Sequence, residues 1–210
     1  MPKRLFDVIF AALALVVLAP VLVVVAAWVR WDSPGTVFFR QTRVGRDGKL
    51  FRIYKFRTMH AHAEKAGPAI TIGADPRITR SGNWLRRTKV DELPQFINVL
   101  FGDMSVVGPR PEVPAYVSMY PEPVRHQVLS VRPGITDVAS IEFRDESSML
   151  GQSNDPEQAY VEQILPIKLR YAAEYAQSHT LAGDIKIIAR TVAALWMQRP
   201  SRGAAAKDGA

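Results

Sequence analysis

The chain is organised around the stretch TRSGNWLRRTKVDELPQ, residues 79–95, which is followed closely by Gly108-Pro109-Arg110-Pro111. Within it two adjacent carboxylates, Asp91 and Glu92, come after a basic run and before an arginine that stands between two prolines. A carboxylate can act as a nucleophile, a general base or a metal ligand, and the planar fork of arginine suits phosphate oxygens. Carboxylates flanked by arginines therefore indicate a site for phosphate chemistry.

The same stretch predicts a helix that begins near Asp91 and ends at Gly102. Proline lacks an N–H and is tolerated in a first helical turn, which suits Pro94, and glycine commonly ends a helix. The acid pair would then lie at the positive end of the helix dipole, which favours ionised carboxylates and bound anions. Taken alone, these residues are more simply an ordinary helix cap followed by a glutamate. The functional interpretation therefore depends on the surrounding residues.

The apolar run from Val8 to Val29 is long enough, as a helix, to span roughly 30 Å of hydrocarbon. It is longer than the apolar part of a signal peptide, about 7–15 residues, and continues into Arg30 without an obvious cleavage site, so we expect it to stay in the protein. Pro20 predicts a kink, and basic residues flank both ends. A re-entrant hairpin bent at Ala19-Pro20 and a kinked spanning helix both agree with these residues.

The formal charge of +7 is unevenly distributed. Basic residues predominate at 30–57 and 77–89, whereas the segment 142–184 is acidic. A basic half beside an apolar segment favours an anionic membrane surface or a phosphorylated substrate, and we expect no nucleic acid partner. The chain has no cysteine, which excludes disulfides and thiolate metal sites.

A β-hairpin is predicted from segments 37–42 and 50–59, joined by Gly45-Arg46-Asp47-Gly48. Strand alternation would put Lys55 and Arg57 on one face, which either meets a phosphate or faces solvent. The histidines at 60 and 62 lack a third ligand at a recognisable spacing, so segment 60–74 is better interpreted as a flap than as a metal site.

Helices dominate the second half of the predicted fold. Short helices are expected at 114–120 and 122–131, and a longer one opens at Asp155 and is interrupted at Pro166. Asp184 is predicted to cap a last amphipathic helix that runs to Met197. That helix would lie on a membrane surface or pack against the domain.

A series of ordered motifs gives the chain a family resemblance. They are Lys3-Arg4-Leu5-Phe6-Asp7, Tyr54-Lys55-Phe56-Arg57-Thr58-Met59, Asp75-Pro76-Arg77-Ile78-Thr79-Arg80, Asp91-Glu92-Leu93-Pro94-Gln95, Gly102-Asp103-Met104-Ser105, Gly108-Pro109-Arg110-Pro111 and Arg132-Pro133-Gly134-Ile135-Thr136. Together they resemble the bacterial sugar transferases known as monotopic phosphoglycosyl transferases, over about residues 3–197.

The resemblance implies transfer of a sugar 1-phosphate from a UDP-sugar to undecaprenyl phosphate, with UMP released. It implies an α+β, mainly helical fold, with a re-entrant membrane helix-hairpin at 1–31 and, at 32–198, an interfacial catalytic domain that has a short β-hairpin and amphipathic helices. The domain would face the cytoplasm at the bacterial inner membrane. We expect the chain to be the minimal catalytic unit and residues 199–210 to be a disordered tail, and we consider a homodimer.

The resemblance also assigns roles to individual residues. Asp91 matches the nucleophile and metal-binding aspartate, with Mg²⁺ as the implied ion, and Glu92 matches its partner. Lys55, Arg86 and Arg110 match substrate-binding basic residues of the active site. The alternatives are direct transfer with Asp91 holding only the metal, and a non-catalytic, membrane-anchored basic lipid-binding or scaffold module in which Asp91 is only a helix cap.

Two segments depart from the family pattern. Ala19-Pro20 stands where many members have Ser-Pro, which removes a hydroxyl that could satisfy the backbone at the bend. After Arg132–Thr136 many members continue Gly-Trp-Ala-Gln, whereas this chain has residues 137–144 of different composition. If this segment contacts the sugar, the specificity of those relatives does not transfer to this chain.

Overall fold

One long apolar helix, α1 (Pro2–Asp32), leads into a domain of short helices and two small sheets. The computed structural model describes residues 2–61, 63, 71 and 75–197. The mainly helical α+β class with a short β-hairpin is confirmed. The predicted tail and most of the segment 60–74, including positions 62 and 64, lie outside the described residues.

Within the described residues, α1 is the one helix long and apolar enough to cross a membrane. Its central side chains are exposed by 60–73%, which leaves an apolar surface that water solvates poorly. The helix continues past Pro20 without interruption, so the expected hairpin at Ala19-Pro20 is not confirmed. These central residues are Leu13, Val16, Val17, Val23 and Val24.

Both ends of α1 are fixed to the same domain. Near the start, the buried Asp7 carboxylate accepts hydrogen bonds from the Ser105 hydroxyl at 2.8 Å and the Val106 N–H at 3.1 Å. Near the other end, the Arg57 guanidinium donates to the Ser33 carbonyl oxygen at 2.7 Å. The exposed apolar middle therefore lies between two anchored ends.

The predicted hairpin forms from β1 (Phe38–Val44) and β2 (Leu50–Phe56), which pair antiparallel. Its turn holds Asp47 in a left-handed conformation, φ 58°. The prediction that Lys55 and Arg57 share a face is wrong for Arg57, because β2 ends at Phe56 and the alternation stops there. Arg57 is buried against the end of α1, where it also donates to the Pro34 carbonyl oxygen at 2.8 Å.

The acid pair lies in a tight turn between two helices, α2 (Arg80–Thr88) and α3 (Gln95–Phe101). Lys89, left-handed at φ 58°, ends α2, and residues 90–92 form a single 3₁₀ turn. The helix predicted to begin near Asp91 therefore begins at Gln95, because the reversal at Lys89 places the acids in that turn, ahead of the α-helix. The predicted stop at Gly102 is confirmed, with φ 90°.

A second, parallel pair of strands, β3 (Ser105–Val107) and β4 (Gly134–Thr136), brings two turns together. The glycines at 108 and 134 allow this approach, since a Cβ on Gly134 would lie 2.1 Å from the Gly108 nitrogen. The Pro109–Pro111 turn consequently lies beside the start of α6 (Val138–Glu142).

The remaining helices pack around these strands. A π-helical turn at Tyr160–Ile164 precedes Pro166, which confirms the predicted interruption. The predicted cap at Asp184 is wrong, because the Thr180 hydroxyl caps the last helix and Asp184 is buried against the Lys3 ammonium at 2.6 Å. The helices are α4 (Pro114–Val117), α5 (Glu122–Leu129), α7 (Glu146–Leu150), α8 (Pro156–Ala159), α9 (Leu165–Ser178) and α10 (Leu181–Trp196).

Two clusters of buried apolar side chains hold the helices and strands together around a cavity. One joins α1, β2, α3 and β3 through Ala11, Ile53 and Phe96. The other joins the end of β1 to α4, α5 and α9 through Tyr116 and Leu169. The cavity described next has walls from both clusters.

Candidate active site

A cavity of about 630 Å³ lies between the two apolar clusters and contains the acid pair. This volume is in the usual range of about 300–1,000 Å³ for small-molecule sites. All five residues that the sequence singled out line the cavity: Lys55, Arg86, Asp91, Glu92 and Arg110. Residues far apart in sequence are thus brought to one site.

Asp91 is a buried carboxylate that forms no ion pair with another described residue. Its side chain lines the cavity, and its Oδ1 atom has no hydrogen-bond partner among the described residues. Burial, together with the neighbouring Glu92 charge, raises the pKa of Asp91 to about 6. At pH 7 it is therefore mostly ionised, but less stabilised than an ordinary surface carboxylate.

Glu92 is held between two cations. Its Oε1 atom lies 2.9 Å from the Lys55 ammonium. The Arg110 guanidinium donates to both carboxylate oxygens of Glu92, at 3.1 Å to Oε2 and 2.5 Å to Oε1. Burial alone would raise the pKa of Glu92, but the charges of Arg110 and Lys55 hold it well below its usual value. Glu92 is thus a permanent anion, unsuited to moving a proton near neutral pH.

Arg110 projects from a turn that is held on both sides. Its backbone N–H donates to the Asp137 carboxylate at 3.2 Å, and Asp137 also caps α6 through the Ser140 N–H. The charge of Glu92 raises the pKa of Arg110. The turn therefore presents a fixed guanidinium to the cavity.

Arg86 approaches the acid pair from the last turn of α2. It donates to the Thr71 hydroxyl at 2.8 Å. Burial lowers the pKa of Arg86, and the Asp91 charge opposes that effect. Arg86 thus supplies positive charge near Asp91 while Arg110 and Lys55 pair with Glu92.

Arg43, on β1, is a cavity residue that the sequence analysis missed. It donates to the Pro111 carbonyl oxygen at 3.0 Å and lies 3.6 Å from the Glu112 carboxylate. These partners are remote in sequence, so no local motif indicates their proximity. Arg43 holds the turn that carries Arg110.

The described residues contain no cluster of three or more side chains typical of a metal-ligand set. The unpaired Asp91 Oδ1 nevertheless fits Mg²⁺, which is often bound through one or two carboxylates together with substrate phosphates. The residues present thus suit an ion that arrives with a phosphorylated substrate better than a metal held by protein ligands alone.

Comparisons with known proteins extend along nearly the whole chain. Residues 1–198 match the sequence profile of the family described as Bacterial sugar transferase. The UDP-glucose:undecaprenyl-phosphate glucose-1-phosphate transferase of Escherichia coli (strain K12) is 40% identical over 90% of this chain and 39% of that protein. Exopolysaccharide production protein PSS of Rhizobium leguminosarum bv. phaseoli is 41% identical over 90% of this chain and 92% of that protein.

A third relative is named for a different sugar, N-acetylgalactosamine. The UDP-N-acetylgalactosamine-undecaprenyl-phosphate N-acetylgalactosaminephosphotransferase of Aeromonas hydrophila is 34% identical over 90% of this chain and 42% of that protein. The chain thus spans less than half the length of two of these three relatives and almost all of the other. None of these names supports the homodimer considered above.

Proposed function

The chain belongs to the bacterial sugar transferase family, and on that premise we propose that it transfers a sugar 1-phosphate from a UDP-sugar to undecaprenyl phosphate. The products are UMP and a polyprenyl diphosphate sugar. This is the first membrane step in assembling an exopolysaccharide, capsule, O-antigen or glycoprotein glycan. The proposal is carried chiefly by the unpaired Asp91 oxygen inside a cavity lined by basic residues.

In the first half of the reaction, an oxygen of Asp91 attacks the phosphorus that bears the sugar. A bond forms between the carboxylate oxygen and this phosphorus, the bond from the phosphorus to the oxygen that bridges the diphosphate breaks, and its electron pair leaves with that oxygen on UMP. Asp91 suits this role because its carboxylate is mostly ionised at neutral pH and its Oδ1 atom accepts no hydrogen bond from another described residue.

In the second half, an oxygen of the lipid phosphate attacks the same phosphorus, and Asp91 leaves as a carboxylate. The lipid phosphate is already ionised near pH 7, so no general base is required. Two steps also keep the two anionic substrates from occupying the site together, which would require neutralising all of their charges at once.

The neighbouring residues stabilise the charge that develops on the transferred group. Arg86 and the pair of Lys55 and Arg110 provide donors for phosphate oxygens, and Glu92 holds that pair in place. A bound divalent cation such as Mg²⁺, held by Asp91 and the substrate phosphates, would supply further neutralisation of phosphate charge.

We propose a membrane arrangement on the basis of the two anchored ends of α1. Because both ends contact one domain while the apolar middle is exposed, a re-entrant segment that enters and leaves on the cytoplasmic side agrees with the contacts better than a spanning helix. The catalytic domain, proposed at 32–198, would then meet lipid phosphates at the headgroups of the inner membrane. A non-catalytic basic module would account for the basic lining, but it gives no reason for the buried Asp91 oxygen inside the cavity.

The reaction is tested by supplying purified protein in lipid nanodiscs with undecaprenyl phosphate, Mg²⁺ and, in turn, UDP-glucose, UDP-galactose, UDP-N-acetylglucosamine and UDP-N-acetylgalactosamine. We expect UMP release with at least one of them, dependent on the lipid phosphate for continued turnover. Salt-sensitive liposome binding without UMP release from any of the four would favour the scaffold instead.

The pH dependence of UMP release should report the Asp91 carboxylate. Its raised pKa of about 6 means that the reactive anion is lost as the pH falls through 6, so the rate should fall about tenfold for each pH unit well below that value. Single-turnover UMP release between pH 5 and 8 measures this. A rate that stays flat down to pH 5 would contradict the assignment.

The topology can be tested because the chain has no native cysteine. Pro2→Cys and Thr36→Cys place single thiols at exposed positions on either side of the apolar run. A re-entrant segment predicts that a membrane-impermeant maleimide labels both in inverted vesicles and neither in intact spheroplasts. Labelling of the two thiols from opposite faces would show a spanning helix instead.

A further inference from the structure

The cavity has a charged wall that the proposed chemistry does not use. Lys168 of α9 and Glu146 of α7 form an ion pair at 2.5 Å, and both line the cavity. The Lys168 ammonium also lies 4.8 Å from the centre of the Tyr160 ring. Among the described residues, neither Lys168 nor Glu146 forms an ion pair with Asp91, Glu92 or the cations that pair with Glu92.

A continuous set of polar contacts leads from this wall towards the phosphate chemistry. The Tyr160 hydroxyl donates to Glu112 at 2.7 Å, and Glu112 lies 3.6 Å from Arg43. Burial lowers the pKa of Arg43, on which the charges of Glu112, Arg110 and Glu92 also act. Arg43 therefore links Glu112, the partner of Tyr160, to the Pro111 carbonyl oxygen in the turn that carries Arg110.

The two side chains are accessible enough to meet a ligand. Lys168 is 14% exposed and Glu146 is 25% exposed, so each is sheltered without being sealed in the core. An ammonium has three N–H donors and a carboxylate two acceptor oxygens, so their mutual contact leaves capacity for further hydrogen bonds. Such a side-by-side donor and acceptor suits vicinal hydroxyl groups.

The wall is a poor place for a nucleobase. The rings of Tyr116 and Tyr160 pack against each other with centroids 4.9 Å apart, and both residues are buried. Their faces are thus largely used within the protein. The lining also includes apolar side chains, among them Phe10 of α1 and Leu195 of α10, which are better matched to the lipid substrate.

Resting on the proposed function, we propose that Lys168 and Glu146 form the subsite that binds the hydroxyl groups of the transferred sugar and takes part in selecting it. In a UDP-sugar the sugar is joined through its anomeric oxygen to the phosphorus that Asp91 attacks, whereas the uridine lies one phosphate further away. The sugar is therefore the moiety expected at a polar wall connected to the Arg110 end of the cavity. Glu146 lies just beyond the segment where this chain departs from many family members.

Calorimetry on the full chain in nanodiscs tests the subsite, with the best-bound of the four UDP-sugars and UDP as probes. Glu146→Gln and Lys168→Met should each weaken UDP-sugar binding about tenfold, the scale of one lost hydrogen bond to a charged group. UDP affinity should stay within about twofold. The order of preference among the four sugars should also change, and KM should rise more than kcat falls.

Two controls separate recognition from folding. Glu174→Gln, an exposed carboxylate on the same helix as Lys168, should bind every probe as wild type does, and Lys168→Arg should retain most of the sugar affinity. Thermal unfolding verifies that the variants fold. If Lys168→Met does not fold, the isosteric Glu146→Gln carries the test.

Some outcomes overturn the subsite. Unchanged UDP-sugar affinity and preference in Glu146→Gln would do so, as would an equal loss for UDP. A wild-type protein that binds none of the four UDP-sugars would overturn it too. If wild type binds a UDP-sugar but releases no UMP, the proposed reaction fails, and the binding comparison still decides the subsite by itself.

Discussion

Asp91→Asn is expected to lower the rate of UMP release by about 10⁴-fold or more, the scale seen when a covalent nucleophile is removed. The amide keeps the shape of the side chain but cannot form the proposed bond to phosphorus. Burial and the Glu92 charge raise the pKa of Asp91, so the ionised carboxylate is unfavourable in the folded protein, and removing its charge should not weaken the fold. Single-turnover UMP release and thermal unfolding measure the two effects.

Asp47→Asn is the matched control for this substitution. Asp47 is an exposed carboxylate in the β1–β2 turn, in a left-handed conformation that asparagine also tolerates. The Asp47→Asn variant should therefore release UMP at the wild-type rate. A folded Asp91→Asn protein with normal turnover would remove the proposed nucleophile.

Arg110→Met should destabilise the protein by about 3 kcal/mol and remove most of its activity. The buried Glu92 carboxylate would then have Lys55 as its remaining paired cation. Removing one partner of a buried ion pair lowers the free energy of unfolding, because the other charge stays buried with less compensation. The transferred phosphate would also lose a donor. Denaturant unfolding and UMP release measure both losses.

The double variant Arg110→Met with Glu92→Gln distinguishes a lost ion pair from a packing defect. If the cost of Arg110→Met comes from leaving Glu92 unpaired, the double variant should recover much of the stability but not the activity. Arg46→Met, which breaks an exposed pair with Asp47, should change stability by less than about 1 kcal/mol. Additive losses in the cycle would contradict the coupling between Arg110 and Glu92.

Short-range signals in the sequence predicted a large part of this structure. The turn at Gly45–Gly48, the stop at Gly102 and the interruption near Pro166 depend on the backbone preferences of a few adjacent residues, and each was predicted correctly. The motifs that carry the family resemblance contain Lys55, Asp91, Glu92 and Arg110, which line one cavity, and the catalytic roles of these residues stay predictions.

Features that depend on long-range contacts were missed. Arg57 follows the strand pattern locally, but its partners lie at the far end of α1. Asp184 is a reasonable cap by sequence, yet its charge is used to hold Lys3. Arg43 and the Lys168–Glu146 pair belong to the cavity only because of tertiary packing.

The role of Glu92 illustrates the same limit. The sequence placed a carboxylate beside Asp91 but left its purpose open, and the contacts that define it come from residues 55 and 110. With its charge compensated by two cations, Glu92 is proposed to position Lys55 and Arg110. That geometry cannot be obtained from the spacing within one motif.

Intact-protein mass spectrometry after incubation with the preferred UDP-sugar and Mg²⁺, without lipid phosphate, tests the covalent chemistry most directly. We predict an added mass equal to one sugar phosphate, mapped to Asp91, absent in Asp91→Asn and discharged when undecaprenyl phosphate is added. If wild type turns over with both substrates yet never acquires this mass when rapidly quenched, transfer is direct and Asp91 is not the nucleophile.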